Sequence, residues 1–183
     1  MKAGIIIFFA LLVGLIAVPH AFADEYSSGS SATFAELAAA QQQDDRVVVL
    51  KKYLQLRHSP LAPLADVFVA QADLYQLPWD LVAAMTGTES TFGQAVPVNC
   101  NNPLGFGIFG DQMLCFPSYR EAIETVSKSL RQNYLDKWGA TDVCSIAKLY
   151  ASSPTWCEHT TYFMNDIEAF KLKYESQALP ISL

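Results

Sequence analysis

Positive charge is scarce and scattered in this sequence: 12 Lys and Arg stand against 18 Asp and Glu in 183 residues, a formal net charge of −6, and nowhere do the basic residues cluster. Nucleic-acid binding draws on grouped Lys and Arg that neutralise phosphates, so no nucleic-acid partner is expected. Glycine and proline are also few, at 9 each, and no internal repeat is present, which excludes collagen-like and solenoid chains. Charged residues make up only 16% of the chain against 51% hydrophobic, the reverse of a disordered composition. No apolar run reaches the roughly 20 residues that a membrane-spanning helix requires. What remains is the balance of one globular domain.

The longest apolar run, IIIFFALLVGLIAV at residues 5 to 18, follows Lys2 and is closed by Pro19, His20 and the tripeptide Ala21-Phe22-Ala23. A basic start, a short apolar segment and small residues at both outer positions of an A-x-A site make a secretory signal peptide over residues 1 to 23. The expectation is an exported monomer, periplasmic or extracellular, with no stable membrane insertion after cleavage. Residues 24 to 45, from DEYSSGSSA into an Ala- and Gln-rich stretch, read as a polar flexible leader.

Only four cysteines are present, Cys100, Cys115, Cys144 and Cys157. An even number in a chain bound for an oxidising route reads as two disulfides. Three pairings are open; Cys100 with Cys115 and Cys144 with Cys157 are favoured because each closes a short loop. Metal or thiol chemistry at Cys157-x-His159 is the rival reading, and it lacks the close Cys-x-x-Cys or His-x-x-x-His pairs of zinc sites. Neither a metal nor a cofactor is expected.

Between residues 46 and 175 the hydrophobic spacing is mostly helical. Val47, Val48, Leu50, Tyr53 and Leu54 share one face, and Leu64, Val67, Phe68, Gln71, Leu74 and Tyr75 share the next. Pro78 stands at the expected start of a third helix, WDLVAAMTGTE, on which Val82, Met85 and Glu89 fall at i, i+3 and i+7. A carboxylate on that buried stripe is out of place unless something uses it. Beyond Gly93 the pattern changes to a polar loop and then to LGFGIFGDQMLCF, two short strands around a Gly110-Asp111 turn. A capping box at Ser118 and Glu121 opens a helix with Ile123, Val126, Leu130 and Tyr134 on one face. Thr141 is expected to cap a helix bearing Val143, Ile146, Ala147 and Tyr150. Thr155 and Glu158 are expected to cap a last one bearing Phe163, Ile167, Phe170 and Tyr174, and residues 176 to 183 form a tail. The fold class is α+β, predominantly helical, with a small β-hairpin inserted between core helices. Trp79, Trp138 and Trp156 read as core residues, and His58 and His159 receive no role.

Four segments then carry a resemblance. YQLPWDLVAAMTGTESTFG (75 to 93) resembles the opening motif of the lysozyme-like superfamily, as in soluble lytic transglycosylases and bacterial glucosaminidase domains, where a helix ends in a catalytic Glu followed by Ser and an aromatic. NNPLGFGIFG (101 to 110) is similar to their cleft-side segment, and FPSYREAI (116 to 123) and LYASSPTWCEHT (149 to 160) resemble their later helix starts. The resemblance covers roughly residues 60 to 170 and implies a lysozyme-like catalytic domain whose partner is the glycan strand of peptidoglycan. It implies Glu89 as catalytic acid, Asn102 and the backbone around Gly105, Phe106 and Gly107 as sugar-binding, and Tyr150 as a cleft residue facing the acid; Ser90 either orients the Glu89 carboxylate or turns the chain after the helix, and the glycines equally suit strand curvature.

Glycosidic cleavage needs a carboxyl group that stays protonated near neutral pH, which desolvation favours. Hydrolases usually add a second carboxylate, and between Glu89 and Glu121 the only candidate is Asp111, at the expected turn. With Glu89 alone, the implied route is lytic transglycosylation at the β-1,4 bond between N-acetylmuramic acid and N-acetylglucosamine. A hydrolytic muramidase or glucosaminidase, and a wall-binding module without activity, are the alternatives.

Overall fold

The computed structural model describes residues 44 to 109 and 112 to 178. The expected signal peptide, the expected leader up to residue 43, the expected turn at Gly110-Asp111 and residues 179 to 183 lie outside the described residues. Those described are predominantly helical. Helix α1 (Asp45–Leu56) begins on Asp44, whose carboxylate accepts from the Arg46 N–H at 2.9 Å. The last residue of the expected leader, Asp45, thus belongs to the first helix, and Asp44 caps it. A 3-10 turn, Ala62–Leu64, leads into α2 (Ala65–Tyr75). Helix α3 (Leu81–Ser90) starts two residues later than expected, with Asp80 at its N-cap and the Pro78 carbonyl accepting from the Leu81 N–H at 3.1 Å.

Two short strands, β1 (Ile108–Phe109) and β2 (Gln112–Met113), pair antiparallel, with Ile108 opposite Met113 and Phe109 opposite Gln112. Helix α4 (Tyr119–Ser129) is capped by the Ser118 hydroxyl, which accepts from the Glu121 N–H at 3.2 Å. It runs on into a π-helical segment, Leu130–Lys137, at whose end the Trp138 N–H reaches back five residues to the Asn133 carbonyl at 2.8 Å. Helices α5 (Val143–Tyr150) and α6 (Trp156–Ala178) complete the order. The tail expected from residue 176 is therefore still helical through 178. Among the described residues no helix is long and apolar enough to cross a membrane.

Helix α3 is the central element: every residue from Leu81 to Gly87 is buried, so it shows no wet face. Helix α6 packs along it, α2 packs on α4, and α1 packs on α6. Phe68, Leu50, Leu54, Met85, Ile123 and Ile167, each under 2% exposed, form the centre of the core. The closest approach is at Gly87, where a Cβ would stand 2.6 Å from the Phe92 ring and 2.8 Å from that of Phe163. Glycine in a helix interior costs about 1 kcal/mol relative to alanine, and here the neighbouring rings leave no room for the methyl.

Two local expectations are corrected. The buried face of α2 runs through Ala65, Phe68 and Ala72 together with Val67 and Val69, leaving Leu74 65% exposed. Leu74 stands within about 20° of Val67 around the helix but in its last turn, so its exposure follows from where it falls along the axis and not from its angle. Asp142, not Thr141, caps α5. Its carboxylate accepts from the Ser145 N–H at 2.7 Å, and the Ser145 hydroxyl oxygen accepts from the Asp142 N–H at 2.9 Å. A charged acceptor suits the positive end of a helix better than a hydroxyl does. The cysteines pair as Cys100 with Cys115 and Cys144 with Cys157, with Cα atoms 4.7 and 4.9 Å apart. These are the two short-loop pairings favoured from the sequence, and such bonds belong to an oxidising compartment.

Candidate active site

Helix α3 ends abruptly at the residues that matter most. Thr91 and Phe92 are both left-handed, with φ of 53° and 57°, and Gly93 follows at 83°. For non-glycine residues that conformation costs about 1–2 kcal/mol each. The Phe92 N–H returns to the Thr86 carbonyl at 2.9 Å. The Phe92 ring folds back between Tyr53 and Phe163, with centroids 5.7 and 4.9 Å away. That packing holds the turn, and the turn leaves Glu89 in the last helical turn facing an open cleft of about 900 Å³.

The cleft is walled by the loop Gly105-Phe106-Gly107, Leu114, the π-helical segment, the end of α5 and the start of α6. Glu89 is half-buried in it. One carboxyl oxygen, Oε1, accepts from the indole N–H of Trp156 at 2.5 Å. The other, Oε2, faces Gly105 so closely that a Cβ there would lie 2.5 Å from it. Burial pushes the Glu89 carboxyl above its ordinary range, and the Trp156 N–H pulls the other way, with burial the larger effect. The carbonyl end of α3 adds a partial negative charge that also favours the neutral acid. Among the described lining residues Glu89 is the single carboxylate, and neither Lys nor Arg is present. Asp111, the candidate second carboxylate, lies outside the described residues.

Tyr150 stands where the sequence led us to expect it. Its hydroxyl donates to the Leu104 carbonyl at 2.6 Å, and burial, together with the negative charge of Glu89, raises its phenol well above the ordinary value. The ring belongs to an aromatic series, with centroids 6.3 Å from Phe106, 5.7 Å from Tyr134 and 5.3 Å from Trp156. Trp138, half-exposed at the rim, meets Tyr134 edge-on at 4.8 Å. Such rings offer flat apolar faces of the kind on which sugar rings stack.

Ser90 and Asn102 are brought near the site but turned away from it. Ser90 is 4% exposed; its hydroxyl donates to the Pro103 carbonyl at 2.7 Å and accepts from the Gly93 N–H at 2.9 Å. It ties the end of α3 to the cleft loop, and its hydrogen bonds are to the backbone and not to the Glu89 carboxylate. Asn102, also 4% exposed, donates to the carbonyls of Phe106 and Leu114 at 2.8 and 2.7 Å and accepts from the Phe106 N–H at 3.1 Å. With those bonds made inside the fold, it shapes the loop that carries Phe106. Phe106 does line the cleft, as expected.

Several lining residues had no functional reading in the sequence: Thr88, Asn133, Trp138, Trp156 and His159. Thr88 precedes Glu89 on α3, and His159 lies in the first turn of α6 beyond Trp156, so adjacency to the acid and to the Tyr150–Trp156 segment was the signal available. Asn133 and Trp138 lay in a stretch whose π-helical register no periodicity announces. No family model matches this chain, and no curated protein matches it either.

Proposed function

We propose that this protein is an exported lytic transglycosylase with a lysozyme-like fold that cleaves the β-1,4 bond between N-acetylmuramic acid and N-acetylglucosamine in peptidoglycan. The observation that carries the reading is Glu89: a half-buried carboxyl group, raised by burial, alone of its kind among the described residues of an aromatic-lined cleft. The four-segment resemblance supplies the substrate. In the first step the Glu89 carboxyl gives its proton to the glycosidic oxygen as the C1–O bond breaks with its electron pair on that oxygen. In the second the carboxylate takes the proton of the sugar's own 6-hydroxyl, whose oxygen bonds to C1 and closes a 1,6-anhydro ring. The two disulfides fit the oxidising destination that export provides.

Incubation with purified sacculi and mass analysis of the fragments tests this. Products are expected to be lighter by one water than hydrolytic fragments and to lack a new reducing end. Glu89→Gln keeps the shape but not the proton, and turnover is expected to fall by about 10²- to 10⁴-fold. Since the acid must start protonated, wild-type activity should decline as pH rises through the raised Glu89 value. Ordinary reducing ends would make the protein a hydrolase, and binding of sacculi without cleavage would make it a glycan-binding module.

A further inference from the structure

The acid of the proposed reaction has two oxygens in two different surroundings. Oε1 accepts a short hydrogen bond, 2.5 Å, from an indole that is 3% exposed and opens helix α6. Oε2 lies against the α-carbon of Gly105, where only hydrogen fits. An indole N–H can donate and never accept, so it cannot face a carboxyl O–H. We propose that Trp156 is a positioning residue which selects the oxygen of Glu89 that holds the transferable proton, fixing it on Oε2. This rests on the reading of Glu89 as the acid.

The selection has a consequence in each half-reaction. Before cleavage, the indole engages the carbonyl-like oxygen and leaves the O–H on the oxygen beside Gly105. After the proton has passed to the leaving sugar, the same N–H faces a carboxylate and becomes a charge-assisted hydrogen bond, which stabilises the anion until it takes the 6-hydroxyl proton. Trp156 is itself held. Cys157, the next residue, is bonded to Cys144 on α5, and the Trp156 ring lies 5.3 Å from that of Tyr150 at the end of the same helix. The donor is therefore anchored from two sides and does not follow the carboxyl group if that group moves.

Trp156→Phe keeps an aromatic ring and removes the donor. We expect kcat on sacculi to fall by about 10- to 100-fold, the worth of a hydrogen bond to a charged group, with KM nearly unchanged. Losing a bond that favours the anion raises the acid's pKa, so the alkaline limb of the pH profile should move upward. A packing defect that admitted water would weaken the effect of burial and move it downward instead. Independently of turnover, carbon-13 NMR of the Glu89 side chain should show the carboxyl titrating at higher pH in the variant. If the variant does not fold, the wild-type chain still decides the matter: the Trp156 indole proton resonance should shift with pH at the same midpoint as the Glu89 carboxyl. An indole resonance indifferent to that titration, or a Trp156→Phe variant whose pH limb and carboxyl midpoint stay unmoved or move downward, overturns the proposal. Wild-type protein inert on sacculi whose indole and carboxyl nevertheless titrate together overturns the transglycosylase reading and leaves the Trp156–Glu89 assignment standing.

Discussion

Gly105 sets how close the cleft loop comes to the acid. Its φ of +61° is one that a side chain tolerates poorly, and the missing Cβ is the space that Glu89 Oε2 occupies, 2.5 Å away. Gly105→Ala is expected to lower stability by about 1–3 kcal/mol through strain. It should also push the carboxyl off its position, at a cost of roughly 10²-fold in turnover for a displacement of about 1 Å. Thermal melts and sacculus digestion of the same preparation check both, and a variant that loses stability with undiminished kcat would show that Oε2 has room to move. Of the residues the sequence singled out, Glu89, Gly105, Phe106 and Tyr150 line the cleft. Ser90 takes the turn-forming role and Asn102 is turned into the fold, because residue type shows that a polar group will be satisfied and not by whom. The hydroxyl and the amide both found backbone partners thirteen and four to twelve residues away. Trp156 was read as core and is buried as core, yet its one polar atom belongs to the site; burial and function were not alternatives there.

Helix α3 carries buried acids at both ends. Asp80 at its N-cap is 3% exposed and its carboxyl is pushed up to about 6, chiefly by burial and further by the neighbouring charge of Glu168, against the pull of its own backbone N–H and of Lys171. An acid whose folded pKa lies above its unfolded value stabilises the fold fully below the unfolded value, and that stability is lost as pH rises through the folded one. Asp80→Asn, which keeps the shape, is therefore expected to make stability between pH 4 and 7 less dependent on pH. The gain at pH 7 should be on the order of 3 kcal/mol. Urea melts of both proteins across that range measure it, and the difference between them isolates Asp80 from Glu89, which titrates in the same direction. Most elements were legible from hydrophobic spacing because each has one buried face, as Ile123, Val126, Leu130 and Tyr134 show. The exceptions are physical. The buried face of a short helix such as α2 can stop at Ala72, short of a larger Leu74, and the π-helical register of Leu130–Lys137 keeps the same spacing of buried residues as an α-helix while changing where Asn133 and Trp138 point.

At the scale of the whole molecule the crosslinks sit on the two sides of the cleft. Cys100–Cys115 brackets the loop that carries Asn102, Gly105 and Phe106, and Cys144–Cys157 ties the helix of Tyr150 to that of Trp156. Loops closed over 15 and 13 residues are worth roughly 3 kcal/mol each in the chain-entropy view. Against a typical total of about 5–15 kcal/mol, a chain with either pair replaced by serine is expected to remain folded. Its melting temperature should fall, and its turnover on sacculi should fall further than the population of unfolded chain explains. Circular dichroism melts beside digestion rates check this; activity that tracks the folded fraction alone would assign the disulfides to stability only. On that expectation the helices around Phe68 and Met85 assemble without the disulfides, whereas the walls of the cleft depend on them. Competence would then be acquired after shape, and by a different chemistry. On the proposed function, in which the substrate encloses the cell that makes the enzyme, this ordering would act as a safety catch: a chain with its thiols still reduced would be folded but blunt, and oxidation after export would arm it.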